Sequence, residues 1–298
     1  RFCAAGSVLI PRVWRPAAEI VGAMENALSS TKRVGLVTAA LLDHPEAVEI
    51  LRGASRLGVE VNISSLRADA VTPEVAGLLN DCGVRTVTVA PETGSELLRR
   101  VLGKPVSNEA LIASARALAE AGIRTLKLYF MVGVPGERQE DVAAIPELAR
   151  EMRAVFAGGR PQARVTVSAS AFVPKPRTPF QWLPMANESG LRKSMSFLRR
   201  AFVAKPRMEF SGTGAREAIR EGLLARGGRE LAAAIGLAAT GDVPWKAALK
   251  RSGVDAAAVI AVERRDSEIF PWELIDVGPQ RADLQRSLSA ARRLLAER

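Results

Sequence analysis

The chain has 298 residues, of which 48% are hydrophobic and 25% charged, as in an ordinary globular protein. This balance excludes collagen-like and disordered classes, and no apolar stretch reaches the roughly 18 residues that a membrane span requires. Two cysteines, Cys3 and Cys82, are too few for a disulfide framework. We therefore expect a cytoplasmic protein without a secretory leader, built as one large α/β domain or two smaller ones.

The net charge is +10, and most of the excess lies in residues 191–298, which hold 20 basic and 13 acidic residues. Such an excess is typical of solvated helices, and it is also compatible with binding to nucleic acid. The single histidine, His44, excludes chemistry that needs one histidine as base and another as metal ligand.

The hydrophobic periodicity predicts helices and strands in alternation. After a first helix over 17–28, strands are expected at 33–39, 59–65, 84–90, 123–133 and 163–173, and helices at 46–58, 72–83, 107–122 and 138–156. Helices between successive strands impose parallel pairing with right-handed crossovers. The pattern therefore predicts a parallel α/β sheet, either curved into a barrel or open and doubly wound.

The pattern changes after a proline-rich segment at 174–184. A helix over 187–204 and a strand over 205–212 follow, and the remainder reads as Ala/Arg/Leu helix without strand alternation. We place a domain boundary near residue 213, so that 1–213 form the core and 214–298 a helical accessory region.

Polar residues cluster where the predicted strands end, which is the edge at which parallel α/β proteins place their functional groups. Ser65 and Arg67 follow the second strand, Glu92 follows the third, and the turn Gly133-Val134-Pro135-Gly136-Glu137 follows the fourth. Lys127 lies inside the apolar fourth strand, where a charge is costly unless it is paired or faces a polar interior.

These segments, in this order, resemble the radical S-adenosylmethionine (radical SAM) superfamily, and specifically the group that joins a cobalamin-binding domain to a radical SAM core. The opening Arg1-Phe2-Cys3 resembles the end of the family's CxxxCxxC element. The resemblance covers essentially the whole chain through Arg1-Phe2-Cys3-Ala4-Ala5-Gly6, SSLRAD, APETGSELLRRVLGK, LKLYFMVGVPGE, FVPKPRTPFQW, RGGRE and FPWELIDVG.

The resemblance implies a partial parallel (β/α) barrel that lacks its first strand and is followed by a mostly helical C-terminal region. It also implies that Cys3 is one of three thiolates that hold a 4Fe-4S cluster, with the other two before Arg1. In such clusters the fourth iron stays open for S-adenosylmethionine. We therefore expect the 298 residues alone to hold no cluster and to be inactive. We read Cys82 as structural.

The resemblance also implies which residues contact each part of S-adenosylmethionine. The backbone of Gly133–Gly136 is expected to bind the adenine, Glu92 the methionine amino group or the ribose, and Ser65 and Arg67 the carboxylate and ribose, because arginine offers a bidentate fork. Lys127 joins them if it faces the barrel interior. Each assignment has a structural alternative. Gly133–Gly136 would form an ordinary turn, and Glu92 would be a solvated loop residue. Arg67 would be a surface arginine, and the side chain of Lys127 would extend outward between the helices.

We expect a radical SAM enzyme core that cleaves S-adenosylmethionine reductively and modifies an unidentified small-molecule or RNA substrate, with an external electron donor. Methyl transfer with cobalamin bound by an upstream domain is one form of this activity. Two alternatives stay open, namely a tRNA-modifying enzyme similar to methylthiotransferases and a non-catalytic nucleic-acid-binding α/β module. Phosphate-driven binding would fall steeply with salt, whereas S-adenosylmethionine binding would not.

Overall fold

The computed structural model describes residues 1–203, 208–276 and 278–298. The strands are β1 (Arg33–Gly35), β2 (Glu60–Asn62), β3 (Thr86–Glu92), β4 (Thr125–Val132), β5 (Arg164–Ala171) and β6 (Met208–Gly212). The helices before β6 are α1 (Ala4–Val8), α2 (Ala17–Ala27), α3 (Ala47–Arg56), α4 (Pro73–Asp81), α5 (Glu96–Leu102), α6 (Asn108–Glu120), α7 (Gln139–Ala157) and α8 (Glu188–Val203). Those after β6 are α9 (Ala215–Arg226), α10 (Ala232–Ala239), α11 (Trp245–Arg251), α12 (Ala256–Ile260) and α13 (Arg281–Ala296).

All strand pairings are parallel, and the strands follow one another in chain order. β1 pairs with β2, and β3, β4, β5 and β6 form a second ladder in that order. An isolated bridge between Leu66 and Val89 connects the chain after β2 to β3. A doubly wound sheet reverses its strand order at a switch point, which this order does not do. The fold is therefore the open, barrel-like alternative, and the doubly wound alternative is wrong.

The helices form a single layer on one face of the strands. Each helix from α2 to α9 packs against the next, apart from the short α5, which lies outside this series. The outward-facing side chains of the strands, such as Val87, Leu126, Leu128 and Val167, are at most 1% exposed and join one core with these helices. Each such side chain contributes about 1.5–3 kcal/mol through burial. This packing fixes the direction in which the opposite face of the sheet points.

The structure adds two helices that the periodicity does not predict, α1 and α5. Both are short, and α5 begins at the capping hydroxyl of Ser95 and ends at Gly103, which has φ of 79°. The strands predicted over 33–39 and 59–65 are three residues long each in the structure, Arg33–Gly35 and Glu60–Asn62. Of the strand predicted over 205–212, the structure describes only β6, and 204–207 lie outside the described residues.

The region after β6 consists of helices in the described residues, as expected. α9 packs on α8 and β5, and α12 packs on α9, whereas α13 returns to contact α5 and the turn Pro179–Trp182. α13 closes a second apolar cluster with Met131, Phe172 and Trp182. The boundary near residue 213 stays a prediction. No helix in the described parts of the chain has the length and hydropathy needed to cross a bilayer.

Candidate active site at the carboxyl ends of the strands

Glu92 lies at the carboxyl end of β3 in an uncommon backbone conformation. Its φ is 69°, a left-handed value that costs free energy for a residue with a side chain and that clusters at functional sites. The carboxylate is 12% exposed, and its Oε1 accepts a hydrogen bond of 2.9 Å from Lys104 Nζ. Burial raises the pKa of Glu92, and the nearby Lys104 charge opposes this effect.

Lys104 connects Glu92 to a second group of charges. Its Nζ also donates to the carbonyl of Ala90 at 2.6 Å. The bonds from Arg67 lower the pKa of Asp69, and the charge of Lys104 lowers it further. The residue before Arg67 bridges to β3. Arg67 and Glu92 therefore lie at one edge of the sheet, with Asp69 and Lys104 between them.

The guanidinium of Arg67 is exposed and is shared between two carboxylates. Its Nη2 donates to Asp69 Oδ2 at 2.6 Å and its Nη1 to Asp43 Oδ1 at 2.9 Å, and these contacts raise its pKa. Asp43 also accepts, at Oδ2, a hydrogen bond of 2.6 Å from Arg12 Nη1. Ser65 is exposed between Ser64 and Leu66, and no hydrogen bond of its side chain occurs within the described residues. Arg67 would thus have to exchange a carboxylate partner in order to bind a ligand.

The turn Gly133–Glu137 is closed by its own glutamate. The backbone N–H of Gly133, with φ of 75°, donates to Glu137 Oε2 at 2.7 Å. The other oxygen, Oε1, is buried and accepts no hydrogen bond from the described residues. Burial raises the pKa of Glu137 to about 7. The carboxylate therefore holds the turn in shape but has an unused acceptor.

Neighbouring elements clamp the same turn from two sides. A side chain at position 133 would approach Leu191 at 2.8 Å, and one at position 136 would overlap Leu295 of α13. Arg298 donates to the carbonyl of Gly136 at 2.7 Å. A cavity of about 410 Å³ lies beside the turn, between the start of α7 and α8. Both glycines are required by close packing as well as by their positive φ.

Cys3 is exposed directly before α1, and its neighbours Arg1 and Phe2 lie against α5 and the second apolar cluster. The Arg1 guanidinium donates to the carbonyl of Val101 at 2.9 Å, and Phe2 contacts the second apolar cluster. Cys82 is buried and donates to the carbonyl of Leu51, and burial raises the pKa of its thiol to about 11. Of the two, only the exposed Cys3 is accessible to an iron–sulfur cluster, so this chain can supply one of the three thiolates that such a cluster needs.

Lys127 points to the face of the sheet opposite the helices. Leu126 and Leu128, which flank it on β4, are both fully buried against the helix layer, so the alternation of the strand directs Lys127 to the inner face. It lies in register with Thr88 and Thr166 and is partly exposed. The outward-facing alternative for Lys127 therefore does not apply.

Three residues of the site are not predicted from the sequence, namely Lys104, Asp69 and Arg99. Lys104 pairs with Glu92, and Asp69 pairs with Arg67. Arg99 is fully buried and donates to the carbonyls of Thr93 and Val106 at 2.8 and 2.6 Å. Arg99 thereby holds the loop directly after Glu92. A charged residue on the apolar side of a short helix is a signal that could have identified Arg99, whereas the partners of Lys104 depend on the tertiary fold.

The site combines a buried carboxylate, a lysine, an exposed arginine and a turn that presents backbone groups. Such a set can bind a ligand that carries an ammonium, a carboxylate and a planar hydrogen-bonding group. No group of three or more His, Cys, Asp or Glu positioned to hold a metal ion occurs in the residues that the structure describes.

A family model described as the radical SAM superfamily matches residues 1–149, half of the chain. An uncharacterized protein of Methanocaldococcus jannaschii is 32% identical over 184 residues, covering 61% of this chain and 39% of that protein. An uncharacterized protein of Methanopyrus kandleri is 29% identical over 154 residues, covering 46% of this chain and 29% of that protein. The matched part thus spans well under half of either relative.

Among solved structures, SuiB of Streptococcus suis superposes with a TM-score of 0.49 and 13% sequence identity, covering 74% of this chain and 48% of SuiB. SuiB bound to S-adenosylmethionine gives a TM-score of 0.46 and 11% identity, with 74% and 46% coverage.

Proposed function

The chain belongs to the radical SAM superfamily, and we propose that the charged cluster around Glu92 binds the methionine part of S-adenosylmethionine. The observation that carries this proposal is Glu92 itself. Glu92 is held in a costly backbone conformation, and its side chain is largely buried. Its Oε1 accepts a hydrogen bond from Lys104, whereas its Oε2 accepts none in the described part of the chain. Lys104 already supplies one ammonium group at Oε1, and the methionine ammonium would bind as a second donor at Oε2.

The remaining parts of the cofactor have matching groups along the same edge. Arg67 is suited to the carboxylate, which would replace Asp43 or Asp69 on its fork, and Ser65 is the neighbouring hydroxyl. The backbone of Gly133–Gly136 is suited to the adenine, as the family resemblance implies. Glu137 and Arg298 keep that turn in place. The protein's part in this proposal is to bind and orient the cofactor.

Reductive cleavage of the cofactor is our proposal for the whole protein. It requires a 4Fe-4S cluster with three thiolates, of which this chain contributes Cys3. Cobalamin, methyl transfer and the identity of the substrate are further proposals with no contact on this chain to support them. Anaerobic reconstitution of the full-length protein, followed by measurement of 5′-deoxyadenosine with dithionite, tests the activity. Absence of 5′-deoxyadenosine from a reconstituted, cluster-containing protein would overturn it.

The binding proposal is tested on this chain by calorimetric titration with S-adenosylmethionine. E92Q removes the charge but keeps the shape, so the dissociation constant should rise roughly 10-fold or more, the effect of losing a charge-assisted hydrogen bond. The matched control is E120Q, because Glu120 is exposed at the end of α6. Equal affinities for E92Q and the unmodified chain would contradict the assignment of Glu92.

Nucleic-acid binding by the basic last third remains the alternative function. Its signature is affinity for RNA that falls steeply between 50 and 200 mM salt, on the order of 10³-fold or more when six or more phosphates are contacted. Fluorescence anisotropy with a labelled tRNA, run beside the S-adenosylmethionine titration at the same salt concentrations, separates the two functions.

A further inference from the structure

A second cavity, of about 1160 Å³, lies between helices α8, α9 and α11. None of its described lining residues also lines the cavity beside the Gly133–Glu137 turn, and none belongs to a strand. The cavity is therefore separate from the proposed cofactor site, and it can hold a different ligand.

Part of the wall of this cavity is apolar and includes an indole ring. Leu223 of α9 and Leu249 of α11 line it and are 1% and 7% exposed. Trp245 lines it as well and packs, partly buried, against the main core. The indole N–H of Trp245 is buried and donates to no acceptor within the described residues. An apolar wall with an indole ring is suited to a planar ring of a ligand.

The charged side chains of the same cavity are mainly cationic. The lining contains four cations and two carboxylates, namely Arg192, Arg216, Arg220, Lys246, Glu188 and Glu217. Glu188 is already shared between Arg192 and Arg216. Arg220 and Lys246 are exposed, and in the part of the chain that the structure describes neither side chain forms an ion pair or a hydrogen bond. These two cations are therefore available to an anionic ligand.

The start of α9 adds to the attraction for an anion. Arg216 and Arg220 lie four residues apart on this helix, a spacing at which two like charges repel each other. The N-cap residue of α9, Gly214, forms no side-chain cap, so no side chain satisfies the first N–H groups of the helix in that way. The positive end of the helix dipole favours negative charge at the same place. A phosphate bound there would relieve the repulsion between the two arginines.

We propose that this cavity binds a nucleotide, with the phosphate on Arg220 and Lys246 and the base against Trp245. Phosphate accepts charge-assisted hydrogen bonds from guanidinium and ammonium groups. Stacking of a base on an aromatic ring tolerates any base, because every base has a π-face. The nucleotide is either free or one unit of an RNA strand, since both present the same phosphate and base. This proposal does not rest on the cofactor site, because the two sites share no residue.

The experiment is a calorimetric titration of the chain with uridine 5′-monophosphate and with uridine. A uracil base is used so that the turn proposed to bind adenine does not contribute. The monophosphate should bind saturably, and uridine roughly 10-fold or more weakly, the effect of losing charge-assisted hydrogen bonds. The double variant R220Q/K246Q should bind the monophosphate as weakly as the unmodified chain binds uridine. W245L should weaken the binding of both ligands.

The matched control is K32Q/R293Q, which also removes two positive charges from exposed residues but lies outside the cavity. It should bind like the unmodified chain. Because Arg220 and Lys246 are exposed, R220Q/K246Q should melt at the temperature of the unmodified chain, so that weaker binding does not reflect unfolding. E92Q should bind the monophosphate normally, so a failure of the cofactor proposal leaves this titration intact.

A titration with a short single-stranded oligouridylate distinguishes the two sources of the nucleotide. Tighter binding of the strand than of the monophosphate, with an affinity that falls with salt, identifies RNA, whereas equal affinities identify a free nucleotide. The proposal is overturned if neither the monophosphate nor the strand binds saturably, if uridine binds as tightly as the monophosphate, or if R220Q/K246Q binds like the unmodified chain.

Discussion

Glu137 shows how a single side chain couples the shape of the site to pH. Its pKa is raised to about 7 by burial, above the ordinary value of 4.5. A carboxyl group with a raised pKa binds more protons in the folded than in the unfolded state at intermediate pH, so the free energy of unfolding falls as pH rises. This loss begins near pH 4.5 and is complete slightly above pH 7.

We therefore predict that E137Q flattens the pH dependence of stability between pH 4.5 and 7. Glutamine can still accept the hydrogen bond from Gly133 but never becomes charged. The stability gained at pH 8 relative to the unmodified chain should be at most about 3.5 kcal/mol, since each pKa unit corresponds to about 1.4 kcal/mol. Urea unfolding at several pH values measures this effect.

The control for this experiment is E147Q, because Glu147 is exposed on α7, the helix that follows the Glu137 turn. Its pH dependence should match that of the unmodified chain. If E137Q retains the full pH dependence, the raised pKa of Glu137 is not the cause, and the turn is held by other contacts.

At the scale of elements, the sequence predicts what depends on local periodicity. Strand β4 and helices α6 and α7 are recognisable because buried side chains recur every second residue in a strand and every three or four in a helix. α5 is missed because seven residues give too few repeats, although Ser95 and Gly103 are ordinary cap signals. Strand order and the position of α13 depend on tertiary contacts, which no local pattern contains.

The same distinction applies to the site. Glu92, Arg67 and the Gly133 turn follow strands, so their common edge is predictable from parallel pairing. The ion pair between Glu92 and Lys104 is not, because α5 brings together two residues that are 12 positions apart. Lys127 could be placed only after Leu126 and Leu128 were seen to contact the helices.

Helix α13 is the element through which the accessory region contacts the site. Leu288, 1% exposed, belongs to the second apolar cluster with Met131 and Phe172. We predict that L288A lowers the free energy of unfolding by about 2–4 kcal/mol, the usual cost of a buried leucine cavity. Urea denaturation measures this loss. The control L274A removes a leucine that is 91% exposed and should change stability by less than about 0.5 kcal/mol.

The L288A substitution should also weaken binding of S-adenosylmethionine at the Gly133–Gly136 turn. Because Leu295 of the same helix packs on Gly136, L288A is expected to weaken S-adenosylmethionine binding as well as stability. A variant that loses stability at unchanged affinity would show that α13 stabilises the core without shaping the adenine turn.

At the scale of the whole molecule, the accessory helices and the core share buried contacts. Arg226 of α9 is 3% exposed and donates to the carbonyl of Gln181 at 3.2 Å and to the carbonyl of Leu183. Trp272 donates its indole N–H to Gln181 Oε1 at 2.8 Å. These bonds connect residues on both sides of the boundary near 213, which makes an independent accessory module unfavourable.

We predict that residues 1–213 alone are poorly soluble and lose cooperative unfolding. Removing 214–298 takes away α13 and Phe270, and it uncovers Trp182 and Phe180, both fully buried in the whole chain. Large apolar patches exposed in this way promote aggregation. The measurement is the soluble yield and the thermal unfolding curve of the truncated chain.

The control is the whole chain cut at a protease site inserted in the exposed turn at Gly241, where the two pieces should stay associated because their contacts remain. A truncated chain that is soluble and melts at the same temperature as the whole would show instead that the last third is a separate module, and would favour its binding to nucleic acid.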